Sequence, residues 1–299
     1  MRDRTEYFDM SRKIIATTTT DSWRNVPHCS IVYEAEAGRL MEHVRGFNDS
    51  HSKDERISIN SAMLKVITEG IKAAPNLNAH VSYSRGLVKG KVTLMEHIDI
   101  SVPVLYGDGK MMTVKMPHME NRSMRGIQSM MNEYRKRIDQ TDMEVAMYLT
   151  GLTDTVEGLL HGRVLRAAGR LIGAWTGKGR VAVSAGRMLE SMKKGKEGKA
   201  LAPDDIRQGS ITVSSLGPLY RNWKGYCAML QVVPPQVCAI AVGALQKKPD
   251  AEDDRIVIRE FIPVTIAIDH RALDFSDIVP LMERMDEILD DDELIKTLF

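Results

Sequence analysis

The sequence predicts a mixed α/β fold in a single domain. Apolar segments of strand period and of helix period alternate along the chain. β-Branched runs dominate its last third, and neither an internal repeat nor a long Pro/Gly linker divides it. With 299 residues it is long enough to bury a substantial core.

The elements follow in order. Residues 10–25, MSRKIIATTTTDSWRN, read as a helix weakened by four threonines, which lose side-chain freedom on a helix. HCSIVYEAE reads as a strand. In INSAMLKVITEGIKAAP, the residues Met63, Leu64, Ile67 and Ile71 recur at helical spacing, and Pro75 closes the helix before a short strand near 78–84. HIDISVPVLY and KMMTVKM flank the turn signal GDGK and predict a hairpin.

From about 120 to 195 the pattern is helical, and residues 141–190 form a candidate insertion. Within it Val164, Ala168, Leu171, Ile172 and Trp175 make an apolar stripe opposite Arg163, Arg166 and Arg170. That basic face is either solvated or a dock for an acidic carrier or an anionic lipid. SITVSSLG, QVCAIAVGAL and RIVIREFIPVTIAID then read as strands. The last helix carries Ile278, Leu281, Met282, Met285 and Ile288, with Ser276 or Asp277 as its cap and Pro280 in its first turn.

Composition narrows the function classes. The 41 Lys plus Arg nearly balance the 40 Asp plus Glu, so no global field favours nucleic acid or an anionic membrane. Cys29, Cys227 and Cys238 lack metal or disulfide spacing, which speaks for a reducing cytoplasm and against a structural zinc site. The N-terminus has no signal-peptide pattern, and no apolar run is long enough to span a membrane.

The residues that bear chemistry cluster near the end. Ile262, Val264, Ile266 and Ile268 share one strand face, and a strand continuing to His270 would turn its imidazole inward, with Asp269 and Arg271 on the other side. An imidazole with a pKa near 6.5 suits proton transfer at neutral pH. The alternative is a histidine satisfied by backbone where a strand meets a helix, with Asp274 as a cap. His28 and Cys29 are adjacent on a strand and face opposite ways, so they do not form a thiol–base pair.

The segment His270, Arg271, Asp274, Phe275 resembles the His-Arg-x-x-Asp-Gly signature of the 2-oxoacid dehydrogenase acyltransferase catalytic domain, a family related to chloramphenicol acetyltransferase. Phe275 stands where the family has glycine. Further blocks occur in the family's order: SRKIIA with SWRNVPH, then KAAPNLNA, LAPDDIRQGSITVSSLG and PPQVCAIAVG. They cover most of residues 10–138 and 196–291.

The resemblance implies a two-layer α/β sandwich with a mixed β-sheet, a homotrimer with its active-site channel between subunits, and coenzyme A as a substrate. It implies His270 as general base, Ser214 as the hydroxyl that stabilises the oxyanion, and Arg12 as the partner that orients Asp274. No metal and no covalent enzyme intermediate are needed for such chemistry. No lipoyl-bearing or subunit-binding module precedes the matching blocks, so the acyl donor, acyl-CoA or an acyl carrier, is expected to come from elsewhere. A different class of function, a non-catalytic trimeric scaffold that organises partner enzymes, is the alternative.

Overall fold

A computed structural model of the chain describes residues 5–107, 109–160 and 183–299. The stripe and arginine face expected over 163–175 lie outside them. The chain order is α1 (Met10–Asn25), β1 (His28–Glu36), α2 (Gly38–Ser50), α3 (Ile59–Ala73), β2 (Ala79–Ser84), β3 (Lys89–Leu94), β4 (Ile100–Tyr106) and β5 (Lys110–Met116). Then follow α4 (Met124–Asp139), α5 (Met143–Leu160), α6 (Ala185–Lys196), β6 (Ile211–Ser215), β7 (Cys238–Val242), β8 (Gln246–Glu252), β9 (Arg255–Asp269), α7 (Val279–Asp290) and α8 (Asp292–Thr297). Among the described residues no helix is long and apolar enough to cross a membrane.

The chain forms two compact units, one from the described parts of 1–20, 104–115 and 133–207, the other from 21–103, 116–132 and 208–299. In the first, side chains tie helices to one another and to β5. The Tyr134 hydroxyl donates to the Lys115 carbonyl at 2.8 Å, Arg137 Nη2 to the Ala200 carbonyl at 3.1 Å, and Arg187 Nη2 to Asp142 Oδ2 at 2.8 Å.

The second unit holds most of a seven-stranded sheet of order β1-β9-β7-β6-β4-β5, with β8 added beside β9. β9 pairs antiparallel with β1, β7 and β8, while β6 is parallel to both β7 and β4. This is the mixed sheet expected. A separate ribbon joins β2 and β3.

The inner half of β9 is buried on both faces, which explains its nearly continuous apolar run. Ile262, Val264, Ile266 and Ile268 lie on one face. Thr265, Ala267 and Asp269 lie on the other, where Ala267 and Ala239 pack with Val26 and Val232, and the Thr265 hydroxyl donates to the Cys227 carbonyl at 2.6 Å. Thus an irregular segment covers that face.

α3 is more deeply buried than its apolar stripe suggests, because every residue from Ser61 to Ile71 is enclosed. Lys65 and Glu69 tolerate this by pairing one turn apart, Nζ to Oε1 at 2.6 Å, with Lys72 Nζ on Oε2 at 2.8 Å. Gly70 allows α7 to approach: a Cβ there would stand 3.0 Å from both the Leu281 Cγ and its carbonyl oxygen.

The cap of the last long helix differs from expectation, and one edge strand was not foreseen. Neither Ser276 nor Asp277 caps α7, whose N-cap is Ile278. Asp277 instead accepts from the Asp274 N–H at 2.8 Å and from Asn76 Nδ2 at 2.8 Å, bonds that tie the preceding turn down. β8, QKKPDAE, is a charged edge strand with a proline, a composition that masks strand character.

Candidate active site

β9 ends at Asp269, so His270 lies in the following turn and not on the strand. Its side chain is 39% exposed. The inward imidazole expected from alternation is therefore corrected: the chain leaves the pleat one residue too early. Asp269 is the buried group, fully enclosed at the end of an apolar run.

A buried carboxylate needs compensation, and Arg271 supplies it. Its backbone N–H and its Nε reach Asp269 Oδ1 at 3.0 and 2.9 Å, while Nη2 donates to Oδ2. The guanidinium also lies 5.9 Å from the Tyr83 ring centroid. This pair closes the turn around His270. Its signal in the sequence was a lone charged residue at the end of a buried apolar run.

Further bonds fix the turn to neighbouring elements. The Asp269 N–H donates to the Val237 carbonyl at 2.8 Å, the His270 N–H to the Pro27 carbonyl at 3.0 Å, and the Ala272 N–H back to the Asp269 carbonyl at 2.9 Å. The imidazole is oriented in turn. Its Nδ1 faces the Leu273 carbonyl at 3.0 Å and Asp274 Oδ1 at 3.2 Å. Both are acceptors, so the proton of the neutral ring belongs on Nδ1, leaving the Nε2 lone pair free.

Asp274 is 77% exposed, so its ionic contribution is modest and its service is to orientation. Phe275 occupies the short 3-10 turn Phe275–Asp277, where its backbone is right-handed and no glycine is required. Its ring centroid lies 6.1 Å from that of His270 at an interplanar angle of 60°, and the residue is 48% exposed. It therefore forms a wall beside the imidazole.

Ser214 is on β6, 9% exposed, and its hydroxyl makes no hydrogen bond among the described residues. Its row of the sheet is Ser214–Ala241–Thr265. His270 is five residues further along the chain, one beyond the end of β9, about 16 Å at roughly 3.3 Å per residue, and two strand spacings of about 4.8 Å away. Within one chain the two residues do not meet. Arg12 is exposed on α1, in the other unit, with its N–H donating to Asp9 Oδ1 at 2.8 Å.

Residues 2–157 and 180–296 match the family described as 2-oxoacid dehydrogenases acyltransferase (catalytic domain). The chain belongs to that family. The interruption at 158–179 falls within the segment where an insertion was expected.

Among curated proteins, the chain is 25% identical over 265 residues to the dihydrolipoyllysine-residue acetyltransferase component of the pyruvate dehydrogenase complex of Rickettsia felis, covering 88% of this chain and 48% of that protein. The corresponding component of Zymomonas mobilis is 23% identical over 280 residues, 93% of this chain and 48% of the relative. The chain thus spans about half the length of the curated relatives it matches.

The likeness to solved structures is one of fold. A probable dihydrolipoamide acetyltransferase of Listeria monocytogenes superposes with TM-score 0.66 at 19% identity, covering 96% of this chain and 94% of the other. The dihydrolipoamide acetyltransferase of Azotobacter vinelandii gives 0.67 at 16% identity over 99% and 94%. A mixed α/β fold with helices flanking a mixed sheet is common to this chain and those catalytic cores.

Proposed function

We propose that this chain is an acyltransferase that moves an acyl group between a thioester and a thiol, with coenzyme A or a lipoyl or pantetheinyl carrier as one partner. The observation that carries the proposal is His270. Acceptors hold its Nδ1 proton and Nε2 has no partner among the described residues, in a chain that belongs to an acyltransferase family.

In the proposed reaction, Nε2 removes the proton of the acceptor thiol, whose ordinary pKa near 8.5 otherwise leaves little thiolate at neutral pH. The thiolate attacks the thioester carbonyl carbon, and the displaced π electrons reside on oxygen. The unengaged Ser214 hydroxyl donates to that oxyanion. Collapse expels the second thiolate, which recovers the proton from Nε2. Arg12 is proposed to act on Asp274 and so on the turn, without carrying a proton.

The distance by register between Ser214 and His270 supports a site shared between copies of the chain, with the serine of one and the histidine of another, in a homotrimer. The names of the curated relatives make acetyl and dihydrolipoyl groups the first to test. We assign the interruption at 158–179 to an enlargement of the domain within about 141–190. The three cysteines are free among the described residues, which supports a cytoplasmic setting. A scaffold alone would leave both the free Nε2 and the free Ser214 hydroxyl without a use.

Thiol release from a panel of acyl-coenzyme A compounds tests the proposal. Release by the native chain should fall about 100- to 10,000-fold in His270→Ala. An unchanged rate in that variant removes His270 from the chemistry, and no release or transfer with any thioester of the panel, lipoyl thioesters included, favours the scaffold.

A further inference from the structure

A second group of chemically active side chains lies away from His270. His97 is in the bend between β3 and β4, His118 follows β5, and Glu120 sits in the short 3-10 turn Met119–Asn121. No cysteine is involved, so cysteine spacing gave no hint of it. The path through β4 and β5 brings residue 97 back beside residue 118. All three residues belong to one compact unit.

The cluster is held from behind. The Ile98 N–H donates to Glu120 Oε2 at 3.0 Å and the Met119 N–H to the Ile98 carbonyl at 2.9 Å, joining the two loops. Asn78 Nδ2 donates to the His97 carbonyl at 3.0 Å, and the His118 N–H to Asp99 Oδ1 at 3.0 Å. His118 has φ 53 and ψ 46, the left-handed region that a non-glycine residue adopts at a cost. Such fixing from behind is what an oriented ligand set requires.

At the front, His97 Nδ1 is 3.1 Å and His118 Nδ1 3.6 Å from Glu120 Oε1, the rings meet edge to face at 4.3 Å, and Asn121 Nδ2 is 3.4 Å from the same oxygen. One ligand atom from each of the three side chains falls within 4.8 Å of the others. Nitrogen and oxygen ligands at about 2.0–2.1 Å from a tetrahedral ion stand about 3.4 Å apart. The two shorter separations bracket that value. Both imidazoles are about half exposed, so the third edge can close by rotation of a ring and water can complete the shell.

The carboxylate is aimed at the imidazoles: its Oε2 accepts from the Ile98 N–H, which leaves Oε1 turned toward His97 and His118. Two imidazoles and one carboxylate suit borderline divalent ions of the zinc type, whereas calcium and magnesium prefer oxygen ligands throughout.

We propose that His97, His118 and Glu120 bind one divalent transition-metal ion of the zinc class, through Nδ1 of each imidazole and Oε1 of the carboxylate. The ion would clasp the β3–β4 bend to the loop after β5. This site is independent of acyl transfer and takes no part in the reaction proposed for His270.

The test is calorimetric titration of the untagged, chelator-stripped full chain with zinc chloride. We expect saturable uptake of one ion per chain, lost in His97→Ala and Glu120→Gln, and lost in His118→Asn, a change that keeps a residue tolerant of the left-handed backbone. Zinc should also shield His97 and His118 from diethyl pyrocarbonate, mapped by mass spectrometry on the native chain. Absence of saturable uptake overturns the proposal. So does equal uptake by the native chain and all three variants, or unshielded modification of His97 and His118 at saturating zinc.

Discussion

Asp269→Asn would leave the Arg271 guanidinium without its counter-charge beside a buried amide, because the carboxylate is fully enclosed and accepts from both the backbone and the side chain of Arg271. Loss of one partner from a buried ion pair costs about 3 kcal/mol. Urea denaturation should read a loss of that order, and kcat should fall more than KM rises, because the turn that aims His270 loosens. Unchanged stability would mean that the pair does not hold the turn. At Phe275, the ring beside the imidazole acts as a wall, so Phe275→Gly should raise the rate with bulky thiols relative to small ones. A ratio that does not move would place the thiol's approach elsewhere. The sequence put His270 and Asp274 forward through one block of the family resemblance and Ser214 through another. Asp269 was not assigned a role, because strand alternation placed it opposite the face that seemed to matter, and only the end of β9 at that residue reveals which side chain is enclosed.

The helices show the same boundary between what a pattern can and cannot say. The apolar stripe of α3 announced a helix, yet no stripe announces a lysine and a glutamate buried together. Burial pushes the Glu69 carboxyl up, and hydrogen bonds from Lys65 and Lys72 outweigh it, so its pKa lies below the ordinary value. A carboxyl depressed in the folded state contributes stability that is complete above its unfolded pKa of about 4.3 and is lost as pH falls through the folded value. Between pH 5 and pH 3 the native chain should therefore lose more stability, by urea denaturation, than Glu69→Gln does. At pH 7 the same variant should be weaker by about 3 kcal/mol, since Lys65 loses its buried counter-charge. Gly70→Ala tests the α3–α7 approach: a methyl group 3.0 Å from Leu281 should cost about 1–3 kcal/mol through overpacking. Strands β1 and β9 were legible because the inner half of β9 is buried on both faces and the burial of β1 alternates along its length. β8 was not, because an edge strand needs only a backbone to pair and its side chains answer to solvent.

On the scale of the whole molecule, the order of the motifs disclosed the family, while the spatial relation of their residues had to come from register. Ser214 and His270 are neighbours in the proposed chemistry and are far apart in one chain, so the proposed mechanism requires assembly. Sedimentation should find a trimer, and dilution that yields monomers should abolish transfer. The most direct measurement mixes two variants, Ser214→Ala and His270→Ala, unfolds and refolds them together, and assays acyl transfer. Each variant alone should be nearly inactive. Random co-assembly restores a native serine opposite a native histidine at about one half times one half, or about a quarter, of the sites, so activity near a quarter of the native level is expected. A co-assembled mixture as inactive as its components would contradict a site shared between copies, and full activity in either variant alone would contradict the mechanism itself.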